Sequence, residues 1–174
     1  VRIREILASG VLGEIRSVVA DHTQDLPDDP KHRLNALELG GGALLDLGIY
    51  PISFVFDVLG QPETITAKAR MKDTYPNGAI ALTISASDTA GRNVATIHGT
   101  EGRIEIDKVW YSPTSFRRYD ATNTVVEEYQ SAVTGRGMQY QAAELERLVA
   151  AGQGAGTILS PAESVAIRCS RPAS

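Results

Sequence analysis

Apolar residues recur at helical spacing toward both ends of the chain and at alternate positions through its middle. Arg4–Ala8 reads as a short helix that Ser9 and Gly10 close, because glycine takes the left-handed conformation in which helices end. Glu14–His22 is β-rich and partly alternating, so it reads as a strand, and the proline-bearing, aspartate-rich stretch Thr23–Arg33 reads as a loop. Three glycines, Gly40 to Gly42, precede a helix-length apolar segment, Ala43–Leu59, which Gly60-Gln61-Pro62 stops. The period then changes. Thr64–Lys72, Ala79–Ser87, Asn93–His98 and Arg103–Val109 resemble strands, separated by Pro76-Asn77-Gly78, Thr89-Ala90-Gly91 and Gly99-Thr100-Glu101-Gly102. Two weaker strands follow, Ser115–Tyr119 and Thr124–Tyr129. Helical spacing returns over Met138–Ala151, where Tyr140, Leu145, Leu148 and Val149 supply an apolar face. Ser160-Pro161-Ala162-Glu163 reads as the cap of a last helix running toward Ile167.

Short connections between consecutive strands imply antiparallel pairing, because a parallel neighbour needs a crossover of about a dozen residues. The expected class is therefore α+β: an open, mostly antiparallel sheet of about six strands with helices packed on one face. The other face must be polar or must meet another copy of itself. With 174 residues the chain is one domain's worth of sequence, and at 43% apolar and 22% charged it is ordinary globular material. The apolar run Ala43–Leu59 holds Asp46, Pro51 and Asp57 and is shorter than the roughly 20 residues of a membrane span, so a core position is expected. A net charge of −4 argues against nucleic acid or anionic lipid as partner. A lone cysteine, Cys169, fits a reducing cytoplasm and excludes a cysteine zinc cluster. The opening residues already read as the inside of a helix without a cap, which suggests a piece of a longer polypeptide.

The chemistry concentrates in Gly40-Gly41-Gly42-Ala43-Leu44-Leu45-Asp46-Leu47-Gly48-Ile49-Tyr50-Pro51. In a helix starting near Ala43, Asp46 and Tyr50 share a face. Glycines without side chains let another backbone, or a flat cofactor ring, approach closely, which makes Gly41 and Gly42 candidate cofactor contacts. Gly48 and Pro51 inside a helix cost about 1 and about 3 kcal/mol, and such locally unfavourable choices gather at functional sites. An ordinary buried helix with Asp46 capping or solvated remains the alternative on spacing alone. His22, His32 and His98 lack metal-ligand spacing, so no metal site is expected. Trp110 and Tyr111 fit either an interface or the core. No Gly-x-Gly-x-x-Gly occurs, and Gly135-Arg136-Gly137 lacks its third glycine and a preceding strand of the right kind.

Taken with Val11-Leu12-Gly13-Glu14-Ile15-Arg16 and His98-Gly99-Thr100-Glu101-Gly102-Arg103-Ile104-Glu105-Ile106, that glycine–aspartate–tyrosine run resembles the C-terminal domain of the glucose–fructose oxidoreductase / inositol dehydrogenase (Gfo/Idh/MocA) family. The likeness extends from about Ile3 to Ile167 and is strongest toward the tyrosine-containing branch of sugar and dihydrodiol oxidoreductases. It implies that residues 1–167 form a substrate-binding and dimerisation domain, that 168–174 are a tail, and that a Rossmann domain belongs N-terminal to it. It also implies an NAD(P)-dependent dehydrogenase or reductase. Hydride would pass between a nicotinamide and a hydroxyl or carbonyl carbon of a sugar, polyol or dihydrodiol-like substrate, in a homodimer or higher homo-oligomer built through the open sheet face.

Carried over by position, the resemblance makes Tyr50 the proton donor or acceptor and Asp46 its neighbour one helical turn earlier. It makes Arg33, with Asn35, a substrate contact. A phenol, ordinarily near pKa 10, needs a nearby cation to work at neutral pH. The family supplies that cation from a lysine in a Glu-Lys-Pro motif, which does not occur in this chain. The 174 residues by themselves are expected to be inactive and to bind NAD or NADP poorly. Ser53 stands where many histidine-bearing relatives have a second aspartate, which tilts the substrate away from inositols. The competing expectation is a non-catalytic dimerisation or interaction module of the same fold.

Overall fold

The computed structural model describes residues 1–24, 29–62, 64–72, 75–80, 83–86, 90–156 and 160–169. The chain begins with α1 (Arg2–Ala8) and β1 (Ile15–Thr23), then passes through a 3-10 turn (Leu37–Leu39) into α2 (Ala43–Asp46) and α3 (Ile49–Leu59). Seven strands follow: β2 (Lys68–Lys72), β3 (Tyr75–Ile80), β4 (Thr83–Ala86), β5 (Ala95–Gly99), β6 (Gly102–Ile106), β7 (Ser115–Asp120) and β8 (Val125–Gln130). The described chain closes with α4 (Gln139–Ala150) and α5 (Pro161–Cys169). The α+β class and the open, mostly antiparallel sheet are as the sequence suggests. Among the described residues the strands form one sheet in the order β2-β3-β4-β1-β5-β6-β7-β8.

That order departs from a simple meander in one place. β1 inserts between β4 and β5, pairing parallel with the first and antiparallel with the second. The parallel pair is possible because the intervening chain carries α2, α3 and a hairpin, far more than the minimum crossover. The Pro76-Asn77-Gly78 turn expected from sequence lies inside β3 instead. Pairs Ala69↔Ala79 and Met71↔Pro76 leave one extra residue on β3, so the segment is taken up as a bulge, a place that tolerates a proline without an N–H. The reversal falls between Lys72 and Tyr75. Ser87, residues 88–89 of the next expected turn and residues 170–174 of the expected tail lie outside the described residues, as do residues 25–28 of the first loop.

Alternation along the central strands sorts the side chains. Val18 and Ala20 of β1, Ala95 and Ile97 of β5, Ile104 and Ile106 of β6 and Phe116 of β7 are buried in one core with Ile6 and Leu12. Phe54, Val55 and Val58 of α3 and Ile3 and Leu7 of α1 pack against it. α1 and α3 thus cover one face. Across the opposite face a row runs Val19, Thr96, Glu105, Arg117, Glu128. Ion pairs Arg103–Glu105 at 2.7 Å and Arg117–Asp107 at 2.9 Å lie there, and Arg103 sits 3.9 Å above the Tyr119 ring. The helix-covered side is tied at its edge by Arg2, whose Nε and Nη2 donate to the two oxygens of Glu127 on β8 at 2.7 and 3.1 Å.

The capping reading at α5 holds: Glu163 N donates to Ser160 Oγ at 3.2 Å and Ser160 N to Glu163 Oε2 at 2.6 Å. In α4, by contrast, no residue is buried. The apolar face expected there stays open, with Leu145 63% and Val149 71% exposed. No helix among the described residues is long and apolar enough to cross a membrane.

Ile97 is fully buried at the centre of the core. Ile97→Ala should lower unfolding stability by about 2–5 kcal/mol, read as a fall in the denaturant midpoint at an unchanged m-value.

Candidate active site

The helix expected from Ala43 to Leu59 is broken at Leu47–Gly48, and the break has a definite cause. Proline fits only the first turn of a helix, where its missing N–H has no intrahelical acceptor to leave. Pro51 therefore forces α3 to begin just before it, at Ile49. In a continuous helix the Leu47 carbonyl would accept from residue 51, and here it cannot. Gly48 permits the tight passage between α2 and α3, since an added Cβ would come within 2.6 Å of the Leu44 carbonyl oxygen.

The freed carbonyl is taken from across the fold. His22, at the end of β1 and only 2% exposed, directs Nδ1 to Leu47 O at 3.1 Å. Its Nε2 lies 3.0 Å from Gln24 Nε2. A carbonyl on one side and an amide N–H on the other assign the neutral tautomer with the proton on Nδ1. Burial pushes the His22 imidazole below its ordinary value, against weaker opposing pulls from the Leu47 carbonyl, Asp46 and Asp21, while Arg136 adds to the lowering.

Tyr50 stands over this histidine in the first turn of α3. Its ring meets His22 edge-on, centroids 4.9 Å apart at 78°, and the residue remains 44% exposed. Tyr111 stacks on His22 at 3.9 Å and lies 5.7 Å from Tyr50. The other aromatic that fitted two positions in the sequence, Trp110, packs against the core, 5.0 Å from Phe54, and donates from Nε1 to Asp21 O at 2.7 Å. The Asp21 carboxylate accepts from Asn93 N and Val94 N at 2.6 and 3.0 Å. The end of β1 that carries His22 is therefore strapped on both sides.

Asp46 ends α2 and Tyr50 opens α3, so the single shared helix face of the sequence reading is replaced by two helices meeting at a kink. Arg33 Nη1 reaches Asp46 Oδ1 at 3.5 Å, and its side chain is 71% exposed. Arg33, Asp46 and Tyr50 thus lie on the segments that surround the kink. Asn35 does not join them: it is 2% exposed and its amide donates to the Asp29 carbonyl at 2.8 Å, fastening the loop that carries Arg33. The glycine run is also turned inward. Gly41 N donates to Ala36 O at 2.9 Å and Gly42 N to Leu34 O at 2.7 Å, while Gly40 and Gly42 take φ of 73° and 122°. A Cβ on Gly41 would come within 2.7 Å of the Asn35 backbone. The close approach made at Gly41 is to the chain's own loop, and N–H groups already engaged cannot cradle a phosphate.

The sequence reading weighed His22 only as a metal ligand and Tyr111 only as an interface or core residue, and so missed their meeting with Tyr50. A usable signal existed in Pro51, which announces a free carbonyl four residues earlier. Ser53 lies away from the kink, in a cavity of about 480 Å³ between α1, α3 and α5 that Arg4, Asp57, Phe54 and Ile167 also line. No group of three or more potential metal ligands occurs among the described residues.

Residues 1–105 match the model of the GFO/IDH/MocA C-terminal domain. The chain belongs to that family. It is 30% identical over 181 residues to trans-1,2-dihydrobenzene-1,2-diol dehydrogenase of Xenopus tropicalis, covering 93% of this chain and 54% of that protein. Among solved structures it superposes with TM-score 0.75 at 22% identity on the aldose–aldose oxidoreductase of Caulobacter crescentus complexed with glycerol, over 94% of this chain and 53% of that one. A 3-ketoreductase from Actinomadura kijaniata, complexed with NADP and TDP-benzene, gives the same score and identity over 96% and 54%. The chain spans about half the length of these relatives.

His22 supplies a pH test. Its folded value lies below the unfolded one, so the unfolded chain binds more protons between the two, and stability present above about pH 6.5 is lost as pH falls through that window. In His22→Phe this part of the acid-side loss should vanish. Thermal unfolding between pH 5 and pH 7 should therefore give a flatter profile than the wild-type chain.

Proposed function

We propose that this chain is the substrate-binding domain of an NAD(P)-dependent oxidoreductase, with Tyr50 exchanging the substrate's hydroxyl proton. The observation that carries the reading is the position of Tyr50. The phenol emerges half-exposed from a helix start that its own sequence neighbours, Gly48 and Pro51, make unavoidable, on the segment that follows Asp46, which Arg33 contacts. Family membership supports the reaction class, and the dehydrogenase and ketoreductase relatives support a sugar, polyol or dihydrodiol-like substrate.

The chemistry divides between this chain and what lies beyond it. The glycine loop does not fit a dinucleotide, because its amides bond to Leu34 and Ala36. The nicotinamide, when bound to the complete protein, supplies or accepts the hydride, and NAD and NADP are left equal by these residues. This chain handles the proton. Tyr50 hydrogen-bonds the reacting hydroxyl or carbonyl oxygen and gives or takes its proton in step with the change at carbon. Asp46 accepts from a second substrate hydroxyl or orients it. Arg33, long and solvent-facing, donates to substrate oxygens while its contact with Asp46 limits its range. Asn35 acts indirectly, by holding the Arg33 loop. The open polar face of the sheet is assigned to a homodimer contact, and the cytoplasm is the compartment in keeping with a single cysteine.

Two measurements test this reading. In the full-length protein, Tyr50→Phe should lower kcat by about 10²-fold or more, the usual loss of a general acid–base group. Unchanged turnover would remove Tyr50 from the mechanism. Sedimentation velocity at micromolar protein should give a dimer, and a strict monomer would take the sheet face out of the assignment.

A further inference from the structure

Tyr50 by itself is poorly constrained. A residue with nearly half of its surface in solvent has its backbone fixed by the helix and its ring free to change rotamer. Something beneath must hold the phenol if it is to meet a substrate oxygen in one geometry.

His22 is built for that task. It makes no contact with solvent worth the name, and both ring nitrogens are engaged, Nδ1 with Leu47 O and Nε2 with the Gln24 amide. It therefore does not reach a substrate. The Leu47 carbonyl that takes the His22 proton is the same one that accepts from the Tyr50 backbone N–H at 3.3 Å. The imidazole thus acts on Tyr50 twice: through this shared carbonyl at the start of α3, and directly through the edge-to-face ring contact. It cannot drift, because Tyr111 stacks on it and the flanking Asp21 is strapped to Asn93, Val94 and Trp110.

We propose that His22 is the positioning residue of Tyr50, a buried neutral imidazole that shares the Leu47 carbonyl with the Tyr50 N–H to fix the phenol at the lip of the site. This rests on the assignment of Tyr50 as the proton-transfer group. The ring stack serves placement, and the Nδ1–H bond to Leu47 sets the angle at which the helix leaves the kink.

The first test needs no variant. In the ¹⁵N-labelled protein at neutral pH, His22 should show a protonated Nδ1 and a bare Nε2; the opposite tautomer or an imidazolium would overturn the proposal. The second compares His22→Phe, which keeps a ring and loses the donor, with His22→Asn, whose amide restores an N–H near the position of Nδ1. In the full-length protein His22→Phe should lower kcat on the order of ten- to a hundredfold, with KM within about twofold of wild type, as misplacement of a reacting group does. His22→Asn should recover part of that loss. Wild-type kcat in His22→Phe, or no recovery in His22→Asn, would overturn it. The Tyr50 ring resonances should shift between wild type and His22→Phe, and their invariance would refute positioning whatever Tyr50 does chemically. Failure of the proton-transfer assignment shows separately, as undiminished turnover in Tyr50→Phe.

Discussion

The carbonyl of Leu47 has lost its natural donor, and much of the site is arranged around that fact. Tyr50 N–H reaches it at a long 3.3 Å, and a carbonyl has two lone pairs, so the loss of the residue-51 donor leaves room for a second donor from elsewhere in the fold. His22 provides it from a strand 25 residues earlier in sequence. One hydrogen bond thereby joins the end of β1 to the kink between α2 and α3 and sets where Tyr50 emerges. If α2 and α3 were one helix, Tyr50 would sit in its interior. The break makes it an N-terminal residue at the edge.

The rest of the fold supplies a rigid frame for that junction. β1 is central in the sheet, parallel to one neighbour and antiparallel to the other, and its side chains Val18 and Ala20 are wholly buried. A central strand with neighbours on both sides is slow to fray, so the residues at its end inherit its order. Around it the loop carrying Arg33 is closed internally by Asn35 and by the amides of Gly41 and Gly42. Those glycines are needed for packing of the chain upon itself. Their amides are spent on Ala36 and Leu34 of the preceding loop.

The sequence made the fold class legible because strand alternation and turn residues are local signals. Val18, Ala20, Ile97, Ile104 and Ile106 were recoverable as a core from period alone. The proposed site residues Tyr50, Asp46 and Arg33 come from a motif rather than from physics; the structure adds the 3.5 Å contact of Arg33 with Asp46 and the half-exposed position of Tyr50. What stayed hidden was non-local. β1 meets β4 only after a long crossover, and no spacing announces that insertion. His22 meets Tyr50 and Tyr111 across 28 and 89 residues of chain, a proximity that the sheet creates. The continuous helix over Ala43–Leu59 was misjudged because its apolar content suggested helix throughout, whereas the position of Pro51 required a new helix start. The burial of Asn35 and its bond to the Asp29 carbonyl were hidden for a related reason, because no local spacing tells which polar residue of a loop is turned inward.

The same features separate catalysis from a purely adhesive role. An interaction module of this fold needs the apolar core, the open sheet face and a surface such as the exposed side of α4. It has no use for a buried histidine held neutral, whose ionisation burial opposes, or for a helix interrupted beneath a solvent-facing tyrosine. Gly48 and Pro51 cost the helix local stability, and His22 gives up its contribution in acid, so a surface for adhesion gains nothing from them. Such choices persist where the geometry they enforce is used. Under the proposed function all of them converge on the orientation of one phenol, which is what a group that meets a reacting atom requires.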